Sequence, residues 1–307
     1  MSTPTPPPPP SDLPDGLVAR PLTVADAGAV FAVMAAQEQH DIGSVQIEEA
    51  DIVADWQRPG VDVPATTVGV LDGDALVAYA EHSGGERGDA AVHPSYRGRG
   101  LGTALARWMQ DCARGRGETL VGMPVPEGSD GDRLLAALGY RHRWTSWLLE
   151  LPPGVDVSPQ EVPPGYGVRE AAPTDHRAVW QVVDDAFGEW SHHEPEPWGD
   201  FEAVVLRRPG FASWTLRVAT DPSGEVVGVA VVMLSEQTGY VDRLAVRRDH
   251  RGRGLARALL VDAFGQARAH GATRLELATD TRSGARGLYE RVGMRVFSTW
   301  VNRAIDL

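Results

Sequence analysis

Val246-Arg247-Arg248-Asp249-His250-Arg251-Gly252-Arg253-Gly254-Leu255-Ala256 closes a β-branched and aliphatic run, Tyr240 to Ala245, and opens a helix-periodic stretch reaching His270. A strand feeding a Gly-rich turn and then a helix is a physical device for holding a diphosphate. The glycines let the backbone approach closely and turn its N–H groups toward the anion. The helix that starts at Leu255 or Ala256 adds its positive N-terminal end, and Arg251, Arg253 and Arg257 supply charge around it. Ala256, and Gly102 at the matching place earlier in the chain, are read as small so that no side chain projects into the ligand.

The same stretch occurs earlier. Val92-His93-Pro94-Ser95-Tyr96-Arg97-Gly98-Arg99-Gly100-Leu101-Gly102, followed by Thr103, precedes it by 154 residues. Leu138-Gly139-Tyr140-Arg141 precedes Val292-Gly293-Met294-Arg295 by the same offset, so the spacing of the two motifs is the same in each copy, 42 residues from Arg97 to Gly139 and from Arg251 to Gly293. The starts correspond as well, Arg20 and Asp26 with Arg169 and Asp175. The chain is a duplication. Each copy reads as a capped helix (Thr23 to Met34; Thr174 to Phe187), two strands joined by a turn, a strand, the Gly-rich turn, a long helix, a strand, a short helix and a closing strand, Thr299 to Ile305 in the second. The expected fold is α+β: two tandem domains, each a central mixed β-sheet flanked by helices. Their expected limits are 15–151 and 166–307, with a disordered proline-rich tail over 1–14 and a Pro/Gly-rich linker over 152–165.

Composition narrows the chemistry. The 307 residues hold 29 basic side chains, all arginine. Without lysine there is no Schiff-base, phosphate-loop or kinase-type lysine mechanism. The single cysteine, Cys112, excludes an intramolecular disulfide and a cysteine zinc cluster. A net charge of −13 argues against nucleic acid. It is uneven: 21 acidic side chains against 11 arginines give −10 over 1–153, and 21 against 18 give −3 over 154–307. No apolar run approaches the ~20 residues of a membrane span, and the N-terminus lacks the pattern of a signal peptide, so a cytoplasmic protein is expected. The oligomeric state is left open. His192-His193 has no helical i, i+4 partner, and no metal site is expected. The turn is not a dinucleotide fingerprint, because no acidic ribose partner follows at the end of a second parallel strand.

Arg-x-x-Gly-x-Gly/Ala after a strand ending Leu-Ala-Val resembles the acyl-CoA-binding motif of the GCN5-related N-acetyltransferases (GNAT family). Leu288-Tyr289-Glu290-Arg291-Val292-Gly293-Met294 resembles that family's second motif. The resemblance covers about Val18 to Leu307, and the tandem arrangement is similar to that of the mycothiol synthases. It implies acetyl-CoA as donor and an amine as the usual acceptor. It implies that the backbone of Leu244, Ala245 and Val246 lines the pantetheine arm, while the amides from Arg251 through Gly252, Arg253, Gly254 and Leu255 to Ala256 take the pyrophosphate. Ser283 falls in the tail motif Asp280 to Ala285, which departs from the Asn-containing form common in the family. The first copy keeps its donor set: Val92, Arg97, Gly98, Arg99, Gly100, Leu101, Gly102 and Thr103.

Acyl transfer to an amine needs a base for the ammonium proton, donors for the developing oxyanion and an acid for the departing thiolate. The family match makes Tyr289 the acid. Asp242 is the candidate base, since strand alternation puts 240, 242, 244 and 246 on one face; its alternative is a salt bridge to Arg243. The first copy has Gly88 and Leu135 at these two places, so it reads as catalytically degenerate. The segment Asp184 to Asp200 mixes carboxylates and tryptophans, which suits a small cationic amine; Asp185, Glu189 and Trp190 are its candidate ligands. The chain therefore reads as an acetyl-CoA-dependent N-acetyltransferase, the alternative being a non-catalytic acyl-CoA sensor or scaffold.

Overall fold

The computed structural model describes residues 7–155, 161–189 and 195–307. It divides the chain into two compact units, one of residues 1–145 with 299–307 and one of residues 146–298.

In the first unit the elements are β1 (Leu17–Arg20), α1 (Ala27–Ile42), α2 (Glu49–Trp56), α3 (Val63–Thr66), β2 (Thr67–Asp72), β3 (Ala75–Gly84), β4 (Arg87–Val92), α4 (Leu101–Gly115), β5 (Leu120–Pro126), α5 (Asp130–Ala137) and the start of β6 (Arg141–Leu151). In the second they are β7 (Gly167–Glu170), α6 (His176–Phe187), α7 (Trp198–Phe201), β8 (Leu216–Thr220), β9 (Val226–Ser235), β10 (Thr238–Val246), α8 (Leu255–Ala269), β11 (Arg274–Asp280), α9 (Arg286–Arg291) and the start of β12 (Arg295–Asp306). None of the described helices is long and apolar enough to cross a membrane.

Each unit builds a mixed sheet in which neighbours pair antiparallel, save one parallel pair: β4 with β5, and β10 with β11. In the second unit α8 lays Leu255, Leu259, Ala263, Phe264 and Ala267 on one sheet face, the spacing of one helical stripe. Val179, Val182 and Val183 of α6 cover the other face with Phe201. The first unit repeats this with Leu101, Leu105, Met109 and Cys112 of α4 and Val30 and Val33 of α1. The chain entry to α1 and α6 is braced alike. Asp26 accepts from the Thr23 amide and pairs with Arg20 at 2.7 Å, which holds its carboxyl at about 2; Asp175 does the same with Ala172 and Arg169.

Two sequence expectations change here. The limits 15–151 and 166–307 fail at the closing strands. The last strand of the first unit is the end of β12, in register from Trp300↔Pro126 to Asp306↔Leu120 on β5. That of the second unit is the end of β6, from Ser146↔Asp280 to Leu151↔Leu275 on β11. Each copy of the repeat thus gives its closing strand to the other unit's sheet, a choice that matched alternating patterns in the two strands cannot reveal. Where they are described, the tail and linker are also less free than their proline content suggests: Leu13 packs on the first unit's core, and Val155 and Val162 pack on the second unit's, each an apolar side chain with a core to join, while residues 1–6 and 156–160 lie outside the described residues. The helix α2, which buries Ile52 and Trp56, was not anticipated.

The strand assignment is open to test. Val301 is buried in the first unit's core, so Val301→Ala is expected to lower the opening free energy of the β5 amides by about 1–3 kcal/mol and to leave the β11 amides unchanged in native-state hydrogen exchange. The reverse pattern would restore the copy-by-copy division.

Candidate active site

The site in the second unit begins with two strands that part. β10 and β11 are paired only from Thr238↔Arg274 to Val241↔Leu277, while β10 stays on β9 as far as Val246↔Gly228. The parting coincides with a register shift between Val241 and Arg243, which makes Asp242 the extra residue of a β-bulge. Beyond it, one edge of β10 has no strand beside it. Arg247 N–H donates to Val227 O at 2.9 Å, and donor directions alternate along an antiparallel ladder. The amides of Leu244 and Val246 therefore point into the opening, while that of Ala245 points to β9.

The bulge corrects the alternation expected from sequence. Val241 shares one core with Leu244 and Val246, whereas Ala245 belongs to the core on the opposite face. Asp242 does not lie on a regular face with 244 and 246; it reaches the cleft as the bulged residue.

Asp242, Leu244 and Tyr289 line one cavity of about 180 Å³, together with Phe187, Thr279, Asp280, Ser283 and Ser146. Asp242 Oδ2 lies 3.3 Å from Arg243 Nε, but the guanidinium is held by Glu196 through bonds of 2.5 and 3.0 Å. Asp242 thus touches Arg243 and also lines the cavity. Tyr289 is 7% exposed. Burial pushes its pKa up to about 12, so the phenol keeps its proton across the physiological range. Ser283 is committed to shaping the turn. Its hydroxyl lies 2.7 Å from Thr279 Oγ1, donates to Asp280 O and accepts from the Ala285 amide. The Asp280 carboxylate takes the Arg282 and Ser283 amides, the local bond that an Asn carboxamide oxygen makes elsewhere.

The turn itself has the geometry its glycines predict. Gly252 and Gly254 have φ of +75° and +81°, and Gly98 and Gly100 +73° and +86°, a region that side-chain-bearing residues rarely enter. A Cβ on any of the four would point into open space, which leaves the backbone accessible to an anion. α8 starts at Leu255 and α4 at Leu101. The arginines divide. Arg253 is exposed, and Arg257 has a buried Nε without a partner among the described residues. Arg251 is spoken for: its guanidinium makes a bidentate pair with Glu189 at 2.8 and 2.9 Å while its Nε donates to Val246 O. Arg97 is held likewise by Asp41 at 2.7 and 2.9 Å and reaches Asp130. Arg99 donates to Ser95 O and covers the Tyr96 ring.

Of the acceptor candidates, Glu189 is thus paired with the turn, and Asp185 is an exposed residue accepting from Gln181. Neither lines the cavity. Trp190 lies outside the described residues. Trp198 packs edge-on against Trp180 with Arg177 over its face. Gly102 has a different reason to be small from the one expected. A Cβ there would sit 2.6 Å from the Leu134 side chain, and its counterpart Ala256 joins the same core as Leu288, so the position is set by helix packing. The residues missed are Ser146, which sequence order assigns to the other copy, and Phe187, the last apolar residue of the α6 stripe.

The first unit has the turn and the parting strands without the chemical groups. β4 and β5 pair only at Arg87↔Gly122, and a groove of about 460 Å³ runs from Ala90–Val92 past Arg97–Thr103 to Leu134 and Leu135. β4 keeps register through Gly88↔His82, and the shift that follows, between His82 and Gly84, puts its extra residue on β3, not on β4. A Cβ at Gly88 would lie 2.0 Å from Met109 Sδ, so a carboxylate there would have to displace the methionine. Leu135, at the place of Tyr289, is buried.

Comparison with known proteins agrees with this geometry. The model of the acetyltransferase (GNAT) family matches residues 32–140 and 176–294. The mycothiol acetyltransferase of Thermobispora bispora is 28% identical over 301 residues, covering 91% of this chain and 94% of that protein. That of Geodermatophilus obscurus is 31% identical over 303 residues, covering 89% and 92%. A GCN5-related N-acetyltransferase from Sphaerobacter thermophilus superposes with a TM-score of 0.73 at 29% identity, covering 96% of both chains. A tandem GNAT protein from the clavulanic acid biosynthesis pathway shares the fold, with a TM-score of 0.71 at 18% identity over 94% and 98%. The family uses acetyl-CoA, and its members are transferases. A Gly-rich strand-to-helix turn, a parted strand pair and a match to the family model, each present twice, lead to one assignment: this chain belongs to the GNAT acetyltransferase family and carries two of its domains in tandem.

Proposed function

We propose that the chain transfers the acetyl group of acetyl-CoA to the primary amine of a small, cationic acceptor, with the chemistry in the second unit. The observation that carries the reading is the shared cavity of Asp242 and Tyr289 at the mouth of the parted strands, set against Gly88 and Leu135 at the same two places in the first copy.

Acetyl-CoA, when bound, supplies the thioester. The amides of Arg251 to Ala256 and the exposed Arg253 would take its diphosphate, and the free N–H groups of Leu244 and Val246 would hold the arm and the developing carbonyl charge. An alkylamine is mostly protonated at neutral pH and has no lone pair to offer until a base removes the proton. Asp242 is the group in reach for that step, directly or through a water. Tyr289 donates its proton to the departing thiolate, and its buried phenol is suited to the role because it stays protonated. Arg251 acts differently from a diphosphate ligand here: it ties the turn to Glu189 at the end of α6, so donor and acceptor segments are braced together. Arg243 is shared between Glu196 and Asp242 and Arg282 is paired with Asp280, so three carboxylates face two guanidiniums and one negative charge is left to receive a cation. Relatives matching across most of the chain bear the name mycothiol acetyltransferase, which makes desacetyl-mycothiol the first acceptor to try.

Tyr289→Phe is expected to lower kcat by roughly 10²–10³-fold and Asp242→Asn by roughly 10²-fold, with donor affinity retained; Leu135→Ala is expected to leave turnover intact. Silence of Tyr289→Phe with loss in Leu135→Ala would transfer the chemistry to the first unit. The pH profile offers a second check. With the phenol titrating near 12, kcat at saturating substrates should rise as the bound ammonium gives up its proton and then stay level through about pH 10. A fall beginning near pH 9 would remove Tyr289 as the acid. Gly254→Glu, or Ala256→Glu where no left-handed backbone is involved, should abolish turnover by repelling the diphosphate, and Gly100→Glu should not.

A further inference from the structure

One side chain in the first unit has no counterpart in the second. Gln37, on α1, reaches across to β4, where its Oε1 accepts from the Val92 amide at 3.0 Å. His93 N–H donates to Val77 O, so by the ladder's alternation the Val92 amide points into the opening between β4 and β5. It is the twin of the Val246 amide. In the second copy, matching Arg20 with Arg169 and Asp26 with Asp175 sets Gln37 against Ala186. A methyl group accepts nothing, and among the described residues no side chain takes the Val246 amide. Gln37 also lines the 460 Å³ groove, so its carboxamide stands within the space a ligand would use.

The chemistry of that contact is specific. The arm of an acyl-CoA carries amide carbonyls, and a strand edge with a free N–H is the seat that such a carbonyl needs. A glutamine carboxamide offers the same oxygen to the same N–H. The turn at the other end of the groove is unimpaired, with Gly98 and Gly100 open to solvent and α4 starting behind them.

We propose that Gln37 is a built-in stopper of the first unit's groove, occupying the Val92 amide, one of the two strand-edge amides (with Ala90) that an acyl-CoA arm would use, so that this groove depends chiefly on the nucleotide diphosphate end of its ligand. The proposal rests on reading the groove as a donor-type site. It makes the first unit a site for a nucleoside diphosphate moiety in which CoA and its armless nucleotide are close to equivalent, whereas the second unit discriminates between them.

The test is calorimetric titration of the full chain with its second site silenced by Ala256→Glu or, independently, Gly254→Glu. The two ligands are acetyl-CoA and 3′-phospho-ADP, the nucleotide end of CoA without its arm. With Gln37 in place their dissociation constants should agree within about threefold. Gln37→Ala should tighten acetyl-CoA binding about tenfold, the worth of one recovered neutral hydrogen bond, and leave 3′-phospho-ADP within twofold. Equal changes for both ligands, or none for either, would overturn the stopper while leaving the groove a donor-type site. Failure of both ligands to bind, with or without Gln37, would sink the donor-type reading of this groove and the stopper with it. A melting temperature unchanged in Gln37→Ala separates these results from misfolding.

Discussion

The parting of two parallel strands governs the rest of this molecule. A sheet ordinarily satisfies every backbone donor by adding a neighbour. Here β10 and β11 separate after Val241↔Leu277, and a row of N–H groups is left unclaimed inside the domain. Such an edge is costly unless something covers it. A ligand with amide carbonyls spaced along a flexible arm is the natural cover, and the turn that follows the same strand takes the ligand's charged end. The bulge at Asp242 sits at the fork. Its extra residue bends the strand away and simultaneously delivers a carboxylate to the fork's apex, so the binding slot and the chemistry have one structural origin. In the first unit the fork exists, but β4 runs unbulged past Gly88, and Met109 fills the apex.

Duplication has thus separated two properties that one domain needs together. The second copy keeps both the slot and the reactive groups. The first keeps the slot, loses the carboxylate and phenol, and fills the place with sulfur and hydrocarbon. The replacements serve packing: Met109 lies against Gly88 and Leu135 is buried, where the second copy has Asp242 and Tyr289.

Much of this was legible in the sequence because it is local. The Gly-rich turn, the repeat at an offset of 154 and the Tyr289 motif each lie within a dozen consecutive residues, and their conformations follow from glycine and helix geometry. What was not legible depends on pairs far apart in the chain. Arg251 reads as a phosphate ligand until Glu189, 62 residues away, is seen to hold it. Gly102 reads as ligand clearance until Leu134 is seen against it. Strand alternation misplaced Asp242 because a bulge leaves no mark in the hydrophobic pattern: Val241 and Leu244 end on one face with two residues between them. The closing strands were assigned by order along the chain, and nothing within Arg141–Leu151 or Arg295–Asp306 says which sheet each will join.

That last feature has a bearing on how the protein is made. During synthesis the amino-terminal part of a chain normally completes its domain while the remainder is still being added. Here the sheet of the first unit lacks its final strand until residue 306 has left the ribosome, since Trp300 to Asp306 are what cover β5. Until then β5 presents an open edge, and the partly emerged chain already carries β6, the strand that belongs to the other sheet. The nascent protein must therefore hold an unfinished half through the synthesis of the whole, and neither half could be released as a separate gene product without leaving a raw strand edge behind.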